Sequence, residues 1–221
     1  MKKIITILIL PFLFLQCFQS KKQKTDCSTT AKINQTEVCL PNIKGLTNIS
    51  KNKKYESYIK QFTIQGNEML AFYLDNSLIN EVTTPKYNYA SVYVNSQLKK
   101  DINKSEFKKM SNTMGYYLKK SNNLETIIKE IERNYLKNIS LDNPVVIDSY
   151  SLNKNIKTYL LLGKMIEYNT EIVTLTTLNL MHIQKKMVLS NYIIKYNNSN
   201  SINEIKQKND YFVMRILDEN K

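Results

Sequence analysis

The chain contains no tryptophan, one histidine, four glycines and four prolines among its 221 residues. Each shortage excludes something. Phosphate-cradling loops need several glycines at fixed spacing, and the scattered glycines here supply none. A lone His182 rules out the two-histidine HExxH arrangement, and Cys17, Cys27 and Cys39 form no CxxC pair, so zinc ligation has no sequence basis. No EF-hand loop is present. A Ser–His–Asp triad would have to be built on His182, and no glycine-flanked serine elbow accompanies it. His182 lies between Met181 and Ile183 near a strand end and reads as a turn or core-edge histidine. Asp148 and Glu167 are carboxylates of the type that perform acid–base work. With 19 acidic residues spread along the chain, their placement needs no catalytic explanation. The expectation is a non-enzyme with no metal and no cofactor.

Arginine is also scarce. Among 32 basic residues only Arg133 and Arg215 are arginines, and the formal net charge is +13. Bidentate phosphate and base recognition draws on arginine. A lysine excess of this kind reads instead as a solvated surface with a weak pull toward anionic envelope surfaces. Specific nucleic-acid binding is not expected.

What the sequence does have begins at its first residue. Lys2 and Lys3 precede a twelve-residue, mainly apolar run, Ile4 to Leu15, interrupted by Thr6 and Pro11. That is the layout of an export signal. Twelve helical residues reach about 18 Å, well short of a hydrocarbon core of roughly 30 Å. The run ends in "FLFLQCFQSKKQK", and this opening resembles a bacterial lipoprotein signal: a basic start, a short apolar run, a cysteine, then a polar stretch. The resemblance implies that Cys17 becomes the acylated first residue of the mature chain. Gln16 departs from the small residue that class carries before its cysteine. Ordinary cleavage near Ser20 would leave a soluble exported protein, and there Phe18 departs in the same way.

Cys27 and Cys39 remain. In an oxidising compartment they form a plausible disulfide pair. Such a bond closes a loop of about thirteen residues, worth roughly 3 kcal/mol in the chain-entropy account.

The reading divides the chain into residues 1–16 as signal, 17–35 as a lysine-rich polar tether, and 36–221 as one domain. "TEVCL" from Thr36 is a short strand leading to a turn at Pro41 and Gly45. "EMLAFYL", Glu68 to Leu74, is apolar on both faces and suits a buried strand. In "YNYASVYV" the residues Tyr87, Tyr89, Ser91 and Tyr93 point one way and Ala90, Val92 and Val94 the other, predicting a strand with one core face. Asn103 with Glu106 has capping-box spacing ahead of a stripe of Phe107, Met110, Met114, Tyr117 and Leu118. Asn122 with Glu125 repeats the cap before Leu124, Ile127, Ile128, Ile131 and Tyr135. Pro144 opens a further strand, "PVVIDSY". Two β-rich runs, Ile156 to Tyr168 and Glu171 to Met181, meet at Asn169–Thr170 as a hairpin. Lys186 to Tyr196 adds a third strand. Ser201 with Glu204 predicts the cap of a last helix facing inward through Ile202, Ile205, Phe212, Val213 and Ile216.

Strands, two helices, a three-strand meander and a closing helix make an α+β fold around a mostly antiparallel sheet. The stretch "NKNIKTYLLLGKMIEYNTEIVTLTTLNLMHIQKKMVLSNYIIKY", followed by the capped terminal helix, resembles the end of PsbP-like proteins. That superfamily includes exported bacterial lipoproteins of the DcrB group. The likeness extends by element order over residues 38–217 and is strongest over 156–217. It implies an α/β/α sandwich and an accessory, non-enzymatic role, and it transfers no functional residue.

Fifteen tyrosines without a tryptophan is the most distinctive feature of the composition. Tyrosines interleaved with lysines make a stacking, cationic surface. Tyr87, Tyr89, Tyr93, Tyr192 and Tyr196 are the candidates for such a binding surface, with an anionic glycan or an envelope protein as partner. Three function classes follow: an envelope-tethered accessory or binding protein held to the membrane by its lipid, a periplasmic inhibitor or immunity-type protein that neutralises a toxin or hydrolase, and, least favoured, a carboxylate-based enzyme.

Overall fold

The computed structural model describes residues 27–63, 65–81, 87–119, 144–167 and 170–221. The leader, Cys17 and the second expected helix, capped by Asn122, lie outside these residues.

The chain opens with a hairpin of β1 (Thr29–Ile33) and β2 (Thr36–Leu40). It then passes through β3 (Leu46–Asn48), a short helix α1 (Glu56–Lys60), β4 (Asn67–Asp75), β5 (Tyr89–Asn95) and helix α2 (Lys104–Lys119). The second half is β6 (Val145–Asn153), β7 (Ile156–Glu167), β8 (Thr170–Ile183), β9 (Lys186–Lys195) and helix α3 (Asn200–Glu219). Seven strands form one sheet in the order β3-β4-β5-β9-β8-β7-β6, and every described pairing in it is antiparallel. The α+β class, the meander β7-β8-β9 and the closing helix are therefore as expected.

Alternation along β9 explains the layering. Val188, Tyr192 and Ile194 join a core with Ile205, Phe212, Val213 and Ile216 of α3 and with Ile33, Val38 and Leu40 of the β1–β2 hairpin. Met187 and Leu189, on the opposite face, pack with Phe107 of α2, and Ile193 packs with Phe72, Tyr89 and the α1 side chains Tyr58 and Ile59. Successive strand residues point to opposite faces, so one strand serves both cores. The sheet is sandwiched between α3 with the hairpin on one side and α1 with α2 on the other. β5 accordingly has two buried faces rather than one: Tyr89 and Ala90 are both nearly inaccessible.

Three boundaries differ from expectation. The tether does not extend to residue 35, because Thr29–Ile33 pairs with Thr36–Leu40 and Ile33 is fully buried. The lysine-rich composition concealed a short alternation in which Ile33 is the inward anchor. The β7–β8 connection falls one residue earlier, since Glu167 pairs with Thr170. The cap of α3 is not Ser201: its hydroxyl accepts from the backbone N–H groups of Asn197 and Asn198, inside the preceding turn, and the residue is buried.

Helix α2 begins as its sequence predicts. Asn103 Oδ1 accepts from the N–H groups of Ser105 and Glu106 at 2.9 and 3.0 Å, and Glu106 Oε2 accepts from Asn103 N–H at 2.7 Å. Its inward face is centred on Phe107, Ser111 and Gly115, one turn apart, so Tyr117 lies roughly 200° from Gly115 and points out. Tyr117 is 71% exposed, against the expectation that it belonged to the buried stripe. Gly115 decides this orientation: a Cβ there would stand 2.7 Å from the Tyr159 hydroxyl.

Candidate functional site

A concavity opens where the β1–β2 hairpin meets the edge strand β3. The local sequence dictates the bend. Asn34 turns the hairpin at φ 54°, a left-handed conformation that asparagine tolerates. Cys27 and Cys39 are joined by a disulfide with their Cα atoms 5.5 Å apart, which holds the start of the domain against β2. After Pro41 the chain reverses through Gly45, at φ 85°, a conformation that glycine adopts without steric cost. The Leu46 N–H then donates to the Ile43 carbonyl at 3.0 Å.

The resulting cleft has a volume of about 360 Å³. Ile43, Leu46 and the Tyr73 ring give it an apolar side. The Tyr73 hydroxyl donates to the Pro41 carbonyl at 3.0 Å, and burial pushes its pKa above the ordinary tyrosine value, so the phenol is neutral. Ser28, Thr29, Asn42, Thr47, Asn48 and Lys51 give it a polar side, and among the described residues no carboxylate lines it. Asn48 Oδ1 is occupied by the N–H and hydroxyl of Ser50. Its Nδ2 is buried without a partner, as is Thr29 Oγ1. A buried polar atom left unpaired costs about 1–3 kcal/mol. Both atoms are sealed from solvent, so they lie behind the surface of the cleft and not on it. Lys51 is exposed at the rim and, among the described residues, forms no ion pair.

The five tyrosines singled out in the sequence do not make one surface. Tyr87 and Tyr89 pack against the α1 side of the sheet, Tyr93 borders the α2 core, and Tyr192 and Tyr196 belong to the opposite α3 core. Tyr89 and Tyr192 are only 4% exposed. Burial raises the phenol pKa of Tyr89 and Tyr192 and pushes that of Tyr93 up to about 12. Odd and even positions of β5 and β9 face opposite ways, so residues close in sequence are parted by the sheet itself.

His182 is half-buried. Its Nε2 lies 2.9 Å from the Ile102 carbonyl, and its ring stacks on Phe107 at 5.5 Å. That is a positioned core-edge histidine which helps seat α2. Asp148 forms an ion pair with Lys206 of α3 at 2.5 Å, tying the edge strand β6 to the helix. Beside it, the Tyr150 hydroxyl donates to Asp210 at 2.7 Å, and burial followed by that carboxylate raises its pKa. The Glu167 side chain and Cys17 lie outside what is described.

A polar cluster was not foreseen. Asn179 and Asn209 are fully buried between β8 and α3 and exchange amide hydrogen bonds at 2.8 and 3.1 Å. Thr177 donates to Asn209 at 2.6 Å and Thr158 to Asn179 at 2.8 Å. Every member is sealed from solvent, so the cluster fixes the seat of α3 on the sheet and is closed to ligands. The alternation of Thr177 and Asn179 on one face of β8 was the available signal.

Among the described residues no group of three or more His, Cys, Asp or Glu side chains is placed to hold a metal ion, and no helix is long and apolar enough to cross a membrane.

No protein-family model and no curated protein sequence matches this chain. Among solved structures it is similar to the Ran-binding protein Mog1p of Saccharomyces cerevisiae, at 10% identity and a TM-score of 0.33, over 83% of this chain and 86% of that one. A likeness at that level carries no argument about what this chain binds.

Proposed function

We propose that this chain is an exported, lipid-anchored protein of the cell envelope that acts by binding, in the manner of the PsbP-like, DcrB-type lipoproteins its sequence resembles. The observation that carries the reading is the position of Cys17, directly after a leader too short to span a bilayer and ten residues ahead of a disulfide-closed domain. Ten residues reach at most about 36 Å. An acyl chain on Cys17 therefore holds the hairpin, and the cleft it helps to line, close to the membrane surface. One acyl chain binds a bilayer only marginally, whereas two or more hold stably. The cleft is the binding site of this reading.

Membrane fractionation tests it. Wild-type protein sediments with membranes, whereas Cys17→Ser is released or stalls in processing, with the thermal melt of the folded domain unchanged. A Cys17→Ser protein that is processed and stays in the membrane fraction contradicts the anchor.

A further inference from the structure

Lysines gather where the polar tether joins the domain. Between Pro41 and Tyr55 the sequence holds Lys44, Lys51, Lys53 and Lys54, with no acidic residue and no arginine. Ile43, Leu46, Ile49 and Tyr55 are the buried anchors of this stretch. The positions between them turn outward, and all four lysines are exposed. Among the described residues none of the four forms an ion pair. Two carboxylates close by in the fold are engaged elsewhere. Glu56 pairs with Lys60 at 2.8 Å, and Asp75, opposite Leu46 in β4, accepts from the N–H and hydroxyl of Ser77.

The disulfide sets this stretch beside the tether. Cys27 is bonded to Cys39, two residues before Pro41, and the Ser28 hydroxyl donates to the Leu40 carbonyl at 2.8 Å. Ser28 and Thr29 share the lining of one cleft with Asn42, Thr47 and Lys51. Between Cys17 and Cys27 the sequence adds Lys21, Lys22 and Lys24 against a single acid, Asp26.

We propose that this basic edge of the domain docks on an anionic phospholipid bilayer, with Lys44, Lys51, Lys53 and Lys54 against the headgroup phosphates. The proposal rests on the lipid anchor proposed above and adds a second contact to it. Acyl chains hold the chain to the membrane, and the lysines hold the domain down on it. Reach allows this, because the ten residues from Cys17 to Cys27 span at most about 36 Å and the lysines flank their attachment point. Charge explains the residue type. A lysine ammonium is a point charge on a flexible stem and suits a fluid array of phosphodiesters, whereas a discrete phosphate draws on the fixed fork of arginine. Each lysine near an anionic surface strengthens attachment about fivefold, and a basic patch is an established supplement to an acyl anchor.

Lysine footprinting tests this. Acylated protein purified from membranes is reconstituted into vesicles of phosphatidylcholine alone or mixed with phosphatidylglycerol, acetylated, and read by mass spectrometry. Lys44, Lys51, Lys53 and Lys54 are expected to react severalfold more slowly on the anionic vesicles. Lys104, Lys108 and Lys109 are exposed on α2, which packs on β6 to β9 at the other end of the sheet, and should react equally on both. Salt at about 1 M, where the screening length falls to about 3 Å, should abolish the difference. Lys51→Ala combined with Lys53→Ala weakens docking about 25-fold at the same worth per lysine, so Lys44 and Lys54 lose their protection while the melt stays unchanged.

Equal rates on the two vesicles overturn docking and leave the anchor standing. Protection of the α2 lysines to the same degree overturns the choice of edge. Equal protection by heparin added to neutral vesicles overturns the bilayer in favour of an anionic glycan. Should the purified chain carry no acyl group, it is mixed with the same vesicles. Protection of the four lysines then upholds docking without the anchor, and its absence overturns both.

Discussion

The side-chain amide of Asn220, at the end of α3, pairs with both backbone polar groups of Cys39 in β2. Asn220 Oδ1 accepts the Cys39 N–H at 2.7 Å and its Nδ2 donates to the Cys39 carbonyl at 2.8 Å. The amide thus acts as a one-residue strand on the outer edge of the hairpin. It also donates to the Ile216 carbonyl at 2.7 Å, ending the helix. The end of α3 thereby fixes the β1–β2 hairpin, whose Thr29 lines the cleft. Asn220→Ala strands both groups of a buried residue and is expected to cost about 2–4 kcal/mol. Urea denaturation measures the loss, and faster hydrogen exchange at the Cys39 amide locates it. A change below half of that range would mean that water replaces the amide.

Gly115 sets the depth of α2 on the sheet. The Tyr159 hydroxyl donates to the Ser111 carbonyl at 2.6 Å, directly beneath the glycine. Gly115→Ala gains up to about 1 kcal/mol of helix propensity but drives a Cβ into a buried ring, a conflict worth about 1–3 kcal/mol. The net expectation is destabilisation. Pairing the change with Tyr159→Phe, which removes the nearest atom, recovers part of the loss. Chemical denaturation of the two variants decides, and a stabilised Gly115→Ala protein would show that the helix lifts freely.

The Asn179–Asn209 pair behaves as a unit. Asn209→Ala takes the Asn209 partner from Asn179 Nδ2, which keeps Ser190, and from the Thr177 hydroxyl, and is expected to cost about 1–3 kcal/mol. Asn179→Ala strands Asn209 in the same way. The double variant should cost about 1–2 kcal/mol less than the sum of the singles, because neither amide is then left behind. Additive losses in the double-mutant cycle would mean that each amide finds other partners.

Alkaline pH should weaken the fold in a defined window. Burial pushes the Tyr93 phenol up to about 12, whereas in the unfolded chain it ionises near 10. The folded state holds this proton more tightly, so its contribution is complete below about pH 10 and is lost as pH rises through about 12. Tyr73, Tyr89 and Tyr192 shift in the same direction from burial. Thermal melts across that window should fall, and Tyr93→Phe should flatten the decline. An unchanged slope in the variant would remove Tyr93 from the account.

Much of this architecture could be read from residues alone. The capping box at Asn103 and Glu106, the buried run Leu70 to Leu74 and the apolar face of α3 are local patterns, and local patterns fix local structure. The disulfide partners were legible because the expectation that Cys17 is acylated leaves only Cys27 and Cys39 to pair. What escaped was tertiary. β1 is a strand because Ile33 finds a place in the α3 core, which its lysine-rich surroundings do not advertise. The tyrosines of β5 and β9 alternate, and alternation says which residues share a face without saying that both faces are covered. The cleft escaped entirely. Thr29 lies nineteen residues before Asn48, and no spacing links it to Asn48 and Lys51. The left-handed bend at Gly45 turns the chain between them.

The account turns on how the mature chain begins. Intact-mass spectrometry of protein purified from membranes tests this directly. It should show a chain starting at Cys17 with the mass of attached acyl chains and with Cys27 and Cys39 oxidised. An unmodified mature chain starting near Lys21 would contradict the anchor and leave a soluble exported domain.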